Sequence, residues 1–267
     1  MTDPQDVEAL DLDAYLARTG QSAAPPSAAS LAALHEAHVR TIPFENVDPA
    51  SGRTPQLDLG SITDKLVRKQ RGGYCFEHGL LFAAVLERLG YEVSRRAARV
   101  QPHRGGPRTH MNLVVTVDGV EHLADVGFGA GVLRPMPLED GAVVDQAGWK
   151  HRLVRDGRAW TLQKETAEGW EPLHAFDDQP QRLIDYEVFN HYTATHPNSP
   201  FTGKLVVMRL DHGISRKLIG DTLIVERPDG SQEIAPVADR GDALRYLDVV
   251  LTDEELAALE ERLLQQA

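Results

Sequence analysis

The chain has 267 residues, 42% hydrophobic and 25% charged, enough for a sizeable core in one large domain or two to three small ones. Its net charge of −12 argues against general nucleic-acid binding. Its longest uninterrupted apolar run, Leu80 to Leu86, is far shorter than the about 20 residues of a membrane span, and the acidic start MTDPQDVEAL lacks a secretory signal, so the sequence reads as soluble, unprocessed and cytoplasmic, with no membrane or nucleic-acid partner.

Taken in chain order, the first third reads as helical. Asp11 is placed to cap a short helix through Arg18, closed by Gly20, and residues 21–30 form an Ala/Pro/Ser-rich connector. Ser30 is expected to cap a helix through Val39, which must stop before Pro43. Ser61 and Asp64 resemble a capping box for a helix to about Gln70, ended by Gly72 and Gly73. The run from Cys75 to Leu89 has helical length, with Leu81, Val85 and Leu89 on one stripe and Gly90 as the stop. The pattern changes at Tyr91. Val93 to Gln101 reads as strand, and Met111 to Val117 and Val120 to Ala124 flank the hairpin signal Asp118-Gly119. His151 to Arg155 and Ala159 to Lys164 flank a second one, Asp156-Gly157. Residues 177–201 read as an ordered loop. Lys204 to Leu210, Arg216 to Ile219 and Thr222 to Arg227 read as strands, followed by the turn Pro228-Asp229-Gly230. A last helix begins at Thr252, with Glu255 completing a capping box. No internal repeat is visible. Helices grouped before strands predict an α+β fold: a helical N-terminal lobe, a β-rich middle and a smaller mixed C-terminal lobe.

Cys75 is the only cysteine, which excludes an intrachain disulfide and a cysteine-rich zinc site. A lone cysteine is ordinarily a small buried hydrophobe. This one follows Arg71-Gly72-Gly73-Tyr74 at the start of a predicted helix. The glycines allow sharp backbone geometry, and a helix N-terminus stabilises a thiolate. His110 stands at the entrance to the first hairpin and Asp125 at its exit. The outer ends of an antiparallel hairpin lie side by side, and a carboxylate beside an imidazole fixes its tautomer and stabilises the imidazolium. Cys75, His110 and Asp125 are therefore a candidate thiol triad. The residues alone leave the plainer reading open, since the chain holds 11 histidines and an aspartate often just ends a strand.

Residues 60–109 hold ten Lys and Arg against four Asp and Glu, a zone suited either to a small polyanionic ligand or to scattered solvated arginines. Three near-matches fail. His35-Glu36-Ala37-His38 spaces its histidines three apart, where a zinc-protease helix needs four. Gly127-Phe128-Gly129-Ala130-Gly131 has Val132 where a dinucleotide loop needs its third glycine. The order Cys, His, Asp has its histidine far closer than the papain pattern does. No metal is expected.

The block Arg71-Gly72-Gly73-Tyr74-Cys75-Phe76-Glu77-His78 resembles the active-site signature of the arylamine N-acetyltransferases. So do Ile42-Pro43-Phe44-Glu45-Asn46, His110-Met111-Asn112-Leu113, Asp125-Val126-Gly127-Phe128-Gly129, Phe189-Asn190-His191-Tyr192 and Thr195-His196-Pro197-Asn198-Ser199-Pro200-Phe201, all in family order. One departure is Gly79, where the family usually has Asn; it is expected to loosen the helix that begins at Cys75. The resemblance implies a helical bundle (1–89) carrying the catalytic Cys, a β-barrel (90–203) carrying His and Asp, and an α/β lid (204–267), around a Cys-His-Asp core like that of cysteine proteases. It implies Cys75 as acyl acceptor, His110 as its partner and Asp125 as the orienting acid. It implies acetyl-CoA as co-substrate, no permanently bound cofactor, and an arylamine, arylhydrazine or arylhydroxylamine as acceptor. Phe44, Phe128 and Phe201 are expected to line the acceptor pocket, Gly127 and Gly129 to border the CoA route, and Glu45 and Arg71 to pair close to the cysteine. Two alternatives carry the same three residues: an amide synthase releasing a polyketide-type acyl chain, and a transglutaminase-like thiol hydrolase. A catalytically idle binding protein on this scaffold is the third class. A monomer and a homodimer both remain open.

Overall fold

Asp11 starts the first helix: its carboxylate accepts the Ala14 amide at 3.1 Å ahead of α1 (Leu12–Thr19), and Gly20 closes the helix at φ 66°. The computed structural model describes residues 7–129 and 131–265. In α2 (Ala28–Thr41) the cap is Ser27 rather than Ser30. Ser27 Oγ accepts the Ser30 amide at 3.1 Å, while the Ser30 hydroxyl binds Tyr91 Oη at 2.7 Å and Pro25 O at 2.9 Å. A tertiary contact thus decides between two serines of equal capping strength.

A two-residue strand β1 (Phe44–Glu45) and a single turn α3 (Val47–Ala50) follow. Next comes α4 (Leu59–Thr63), capped by Asp58 rather than Ser61, running into a π-helical turn, Asp64–Arg68. That turn is left through Gln70 at φ 54°, so the helix stop does not fall on Gly72 and Gly73. Then α5 (Cys75–Arg88) runs through the centre of the largest core cluster, with every residue from 75 to 86 buried.

The middle of the chain forms an antiparallel eight-stranded sheet in the order β5-β4-β3-β2-β9-β8-β7-β6. Its strands are β2 (Glu92–Val100), β3 (Arg108–Val117), β4 (Val120–Ala124), β5 (Met136–Pro137), β6 (Val143–Gln146), β7 (Trp149–Asp156), β8 (Ala159–Thr166) and β9 (Gly169–Phe176). The two edges nearly close a barrel. Gln146 at the end of β6 accepts the amides of Leu133 (2.8 Å) and Arg134 (2.7 Å), just ahead of β5, and donates to Arg134 O at 3.0 Å. Asp118 and Gly119 both take positive φ, 53° and 75°, which matches the right-handed twist of the β3–β4 hairpin.

Where the sequence reads as loop, the chain makes α6 (Leu183–Thr195). Its inward face is Tyr186, Asn190, Thr193 and Ala194, while Ile184 and Val188 face outward, so it carries no apolar stripe. The C-terminal sheet is antiparallel in the order β1-β10-β11-β12-β13, with β10 (Val206–Asp211), β11 (Ile214–Ile219), β12 (Thr222–Glu226) and β13 (Gln232–Pro236). It is followed by α7 (Arg240–Tyr246) and α8 (Asp253–Leu264), the latter started by the expected Thr252–Glu255 capping box. The fold is α+β. No helix among the described residues is long and apolar enough to cross a membrane.

Asn46 fastens the early chain to the late sheet. Its Oδ1 accepts the Val206 amide at 2.6 Å, and its Nδ2 donates to Phe201 O at 2.9 Å and Lys204 O at 2.8 Å. Asn46→Ala strips partners from a buried amide and two carbonyls, so it should cost about 2–4 kcal/mol in urea unfolding. A change below about 0.5 kcal/mol would show that these bonds are replaced by water.

Candidate active site

Cys75 is the first residue of α5 and is buried. The backbone arrives there through tight contacts. A Cβ at Gly72 would lie 2.1 Å from Pro43 O, and one at Gly73 2.7 Å from Glu77 Oε2. Neither glycine has positive φ, so both serve close approach and not the sharp geometry expected from the sequence. Glu77 reaches back to accept the Tyr74 amide at 3.2 Å. From the barrel side, a Cβ at Gly127 would sit 2.9 Å from Cys75 Cα. The segment after Asp125 therefore packs directly on the cysteine backbone.

His110 on β3 and Asp125 just after β4 meet as the hairpin argument predicts. His110 Nε2 lies 2.7 Å from Asp125 Oδ2, and Asp125 Oδ1 accepts the Gly127 amide at 3.2 Å. Cys75 Sγ donates to Thr109 O at 3.5 Å. A fourth group was not read from the sequence: His174 on β9, whose Nε2 lies 2.9 Å from the same Asp125 Oδ2. Along β2, Ala98 pairs with His110 and Val100 with His174, so both imidazoles reach one carboxylate from the same face.

All these groups are buried, and that sets their charges. Burial alone would push His110 down; the Asp125 carboxylate outweighs it and, with the Cys75 thiol beside the ring, lifts His110 to about 10. Burial would raise Asp125, but His110 and His174 together hold it below the usual carboxylate range. His174 is lowered by its burial and stays neutral. The three ligand-type atoms of His110, Asp125 and His174 lie within 4.8 Å of one another. An ionised carboxylate only accepts, so both Nε2 atoms carry protons and turn no lone pair toward a cation.

The thiol and His110 open on a cavity of about 790 Å³, bordered by Phe44, Phe128 and Phe201. Phe128 stands edge-on to both imidazoles, with centroids 5.1 Å from His110 and 5.0 Å from His174. Phe44 and Phe201 are 5.8 Å apart. Gly127 borders the cavity, whereas Gly129 turns its α-carbon toward Met208, 2.8 Å from where a Cβ would stand. Arg71 donates to Glu45 Oε1 from Nε (3.1 Å) and Nη2 (2.8 Å), and from Nη1 to Glu255 of α8 at 3.0 Å. Gly79 does not break α5; Met111 packs against it, with Sδ 2.9 Å from the position of a Cβ. The basic zone at 60–109 is largely spent on ion pairs: Lys65, Arg68, Lys69, Arg71, Arg88, Arg95 and Arg108 each meet a carboxylate. Of that zone's Lys and Arg, only Arg104 borders the cavity, where Lys164, Lys204 and Lys217 join it.

Fold and site together define an α+β protein with a thiol, an imidazole and a carboxylate gathered at the head of a buried helix. A family model described as N-acetyltransferase matches residues 27–250. The arylamine N-acetyltransferase of Mycolicibacterium smegmatis is 40% identical over 237 residues, 85% of this chain and 86% of that protein. That of Escherichia coli is 38% identical over 203 residues, 74% and 72% of the two chains. Among solved structures, Nocardia farcinica arylamine N-acetyltransferase matches with TM-score 0.90 at 40% identity, covering 97% of this chain and 96% of that one. Mycobacterium marinum arylamine N-acetyltransferase in complex with CoA matches with TM-score 0.84 at 33% identity, covering 96% and 98%. The chain belongs to the arylamine N-acetyltransferase family.

Because His110 is raised above its unfolded value of about 6.5, its share of stability is full below that pH and fades as pH climbs through about 10. An NMR titration should find the His110 imidazolium intact at pH 8 in the native protein. In Asp125→Asn, with burial no longer outweighed, its midpoint should fall below about 6.5. A native midpoint near 6.5 contradicts the ion pair. Arg71→Ala leaves Glu45 buried without its guanidinium and should cost about 3–5 kcal/mol in denaturant unfolding. A variant as stable as the native chain shows that Glu45 does not depend on the guanidinium.

Proposed function

We propose that the chain transfers an acetyl group from acetyl-CoA to an arylamine or arylhydrazine by a ping-pong route through Cys75. The observation that carries this reading is a thiol at a helix N-terminus beside an imidazole held charged by a buried carboxylate, at the edge of a cavity walled by three phenylalanines. The pair stores a nucleophile and a proton side by side. The Cys75 thiolate attacks the thioester carbonyl, and the C–S bond to CoA breaks. The imidazolium proton of His110 goes to the departing CoA sulfur, leaving neutral imidazole. The amine nitrogen then attacks acetyl-Cys75, His110 takes the amine proton, and the thiolate–imidazolium pair returns. Asp125 orients the ring throughout, bonded to Nε2, which leaves Nδ1 for the sulfur side.

The relatives support both substrates, since they are named as arylamine N-acetyltransferases and one was solved with CoA. The cavity supports them chemically. A flat aryl ring suits walls of Phe44, Phe128 and Phe201, and the cations Arg104, Lys164 and Lys204 suit a donor that carries phosphates, Lys217 being paired to Glu226. In this reading 1–89 carries the thiol, 90–203 the imidazole and carboxylate, and 204–267 the outer wall; Gly127 borders the donor's path.

Initial rates measured over a grid of acetyl-CoA and arylamine concentrations test the route. Ping-pong transfer gives parallel double-reciprocal lines, and converging lines would require a ternary complex instead. Phe128→Ala should raise the arylamine KM about tenfold or more while changing Cys75 acetylation much less. The reverse pattern assigns Phe128 to the donor.

A further inference from the structure

Behind the site runs a line of buried polar groups that the proposed reaction never touches. Tyr15 Oη on α1 lies 2.9 Å from His38 Nδ1 on α2, and His38 Nε2 lies 2.8 Å from His78 Nδ1 on α5. His78 Nε2 lies 3.0 Å from Gly73 O and 3.2 Å from Pro43 O. All three side chains are buried.

The direction of every bond is set from the carbonyl end. A carbonyl oxygen only accepts, so His78 Nε2 carries the proton. A neutral imidazole then has a bare Nδ1, which accepts from His38 Nε2. That leaves His38 Nδ1 bare, and it accepts the Tyr15 hydroxyl proton. With both imidazoles neutral, this one arrangement satisfies every group. Burial supplies that condition: it pushes His78 down to about 4 and, with His78 adjacent, His38 well below its ordinary value. A fully satisfied polar network of this kind specifies one geometry where an apolar core would tolerate several.

What the line specifies lies at its far end. Gly73 is two residues ahead of Cys75, and its carbonyl also takes the Glu45 amide at 2.8 Å. Pro43 O takes the Gly73 amide at 3.3 Å. Phe44 lies between those two contacts, with its ring stacked on the His78 imidazole at 6.4 Å and 16°. A single N–H of His78 thus grips both the turn that leads into the thiol and the strand that carries a cavity wall.

We propose that Tyr15, His38 and His78 are positioning residues that hold the Gly73 turn, and through it the aim of the Cys75 thiol at His110. The inference rests on the reading of Cys75 as the acetyl acceptor. None of the three touches a reacting atom, so their effect falls first on the rate of Cys75 acetylation and reaches the arylamine only through Phe44.

The test has two arms. Nitrogen-15 NMR of the native protein reads the tautomers directly. Both His38 and His78 should be neutral with the proton on Nε2 from pH 6 to pH 9, and a cationic or Nδ1-protonated ring at either position overturns the relay. The second arm is Tyr15→Phe, which keeps the ring and removes only the hydroxyl. Rapid-mixing acetylation of Cys75 by acetyl-CoA should slow about tenfold, while the arylamine kcat/KM, which reports the second half-reaction alone, changes much less. A variant that acetylates at the native rate, whatever its melting temperature, overturns the positioning role. Should the native protein itself fail to acetylate Cys75, the underlying reading fails, and the tautomer arm still decides whether the relay exists.

Discussion

One carboxylate that water does not reach governs the site. Asp125 accepts hydrogen bonds from two imidazoles and a backbone amide. Its charge keeps His110 cationic against burial. His174 adds a neutral second donor that shares the cost of burying the charge. Around this point the fold is closely packed. Gly127 sets the barrel on the Cys75 backbone, and Phe128 covers both rings edge-on.

A second set of buried charges ties the distant segments to the same turn. Arg71 lies between Glu45 in β1 and Glu255 at the start of α8, so the C-terminal helix reaches the residues just ahead of the cysteine. Lys65 joins Asp48 to Glu77 at 2.6 and 2.8 Å. Glu77, raised by burial to about 7 despite that lysine, also caps the helix that Cys75 begins. Such pairs contribute little net stability after desolvation, but each charge is intolerant of losing its partner. They favour one register of the turn.

Much of this was legible in the sequence, and the misses have physical causes. His110 and Asp125 were readable because a two-residue turn fixes what lies at the open end of a hairpin. Cys75 was readable from its glycines, although those glycines serve contact with Pro43 and Glu77 and not a special φ. His174 was hidden because β9 contains Pro172, opposite a register shift between Leu162 and Gln163, which breaks the strand pattern. The α6 helix was hidden because its buried face is Asn190 and Thr193 beside Tyr186 and Ala194, and Asn190 is used to bind the Tyr74 hydroxyl and Pro55 O. Ser27 and Ser30 are equivalent as caps until Tyr91 arrives from 61 residues away.

The proposed role of Cys75 as acetyl acceptor beside the Asp125-held imidazolium is tested by incubating the protein with acetyl-CoA alone, digesting it and weighing the peptides. One acetyl group should appear on the peptide containing Cys75, and it should vanish when arylamine is added, with N-acetylarylamine formed in equal amount. An unmodified Cys75 peptide under conditions of active turnover, or a stable acetyl group that arylamine does not remove, would contradict it.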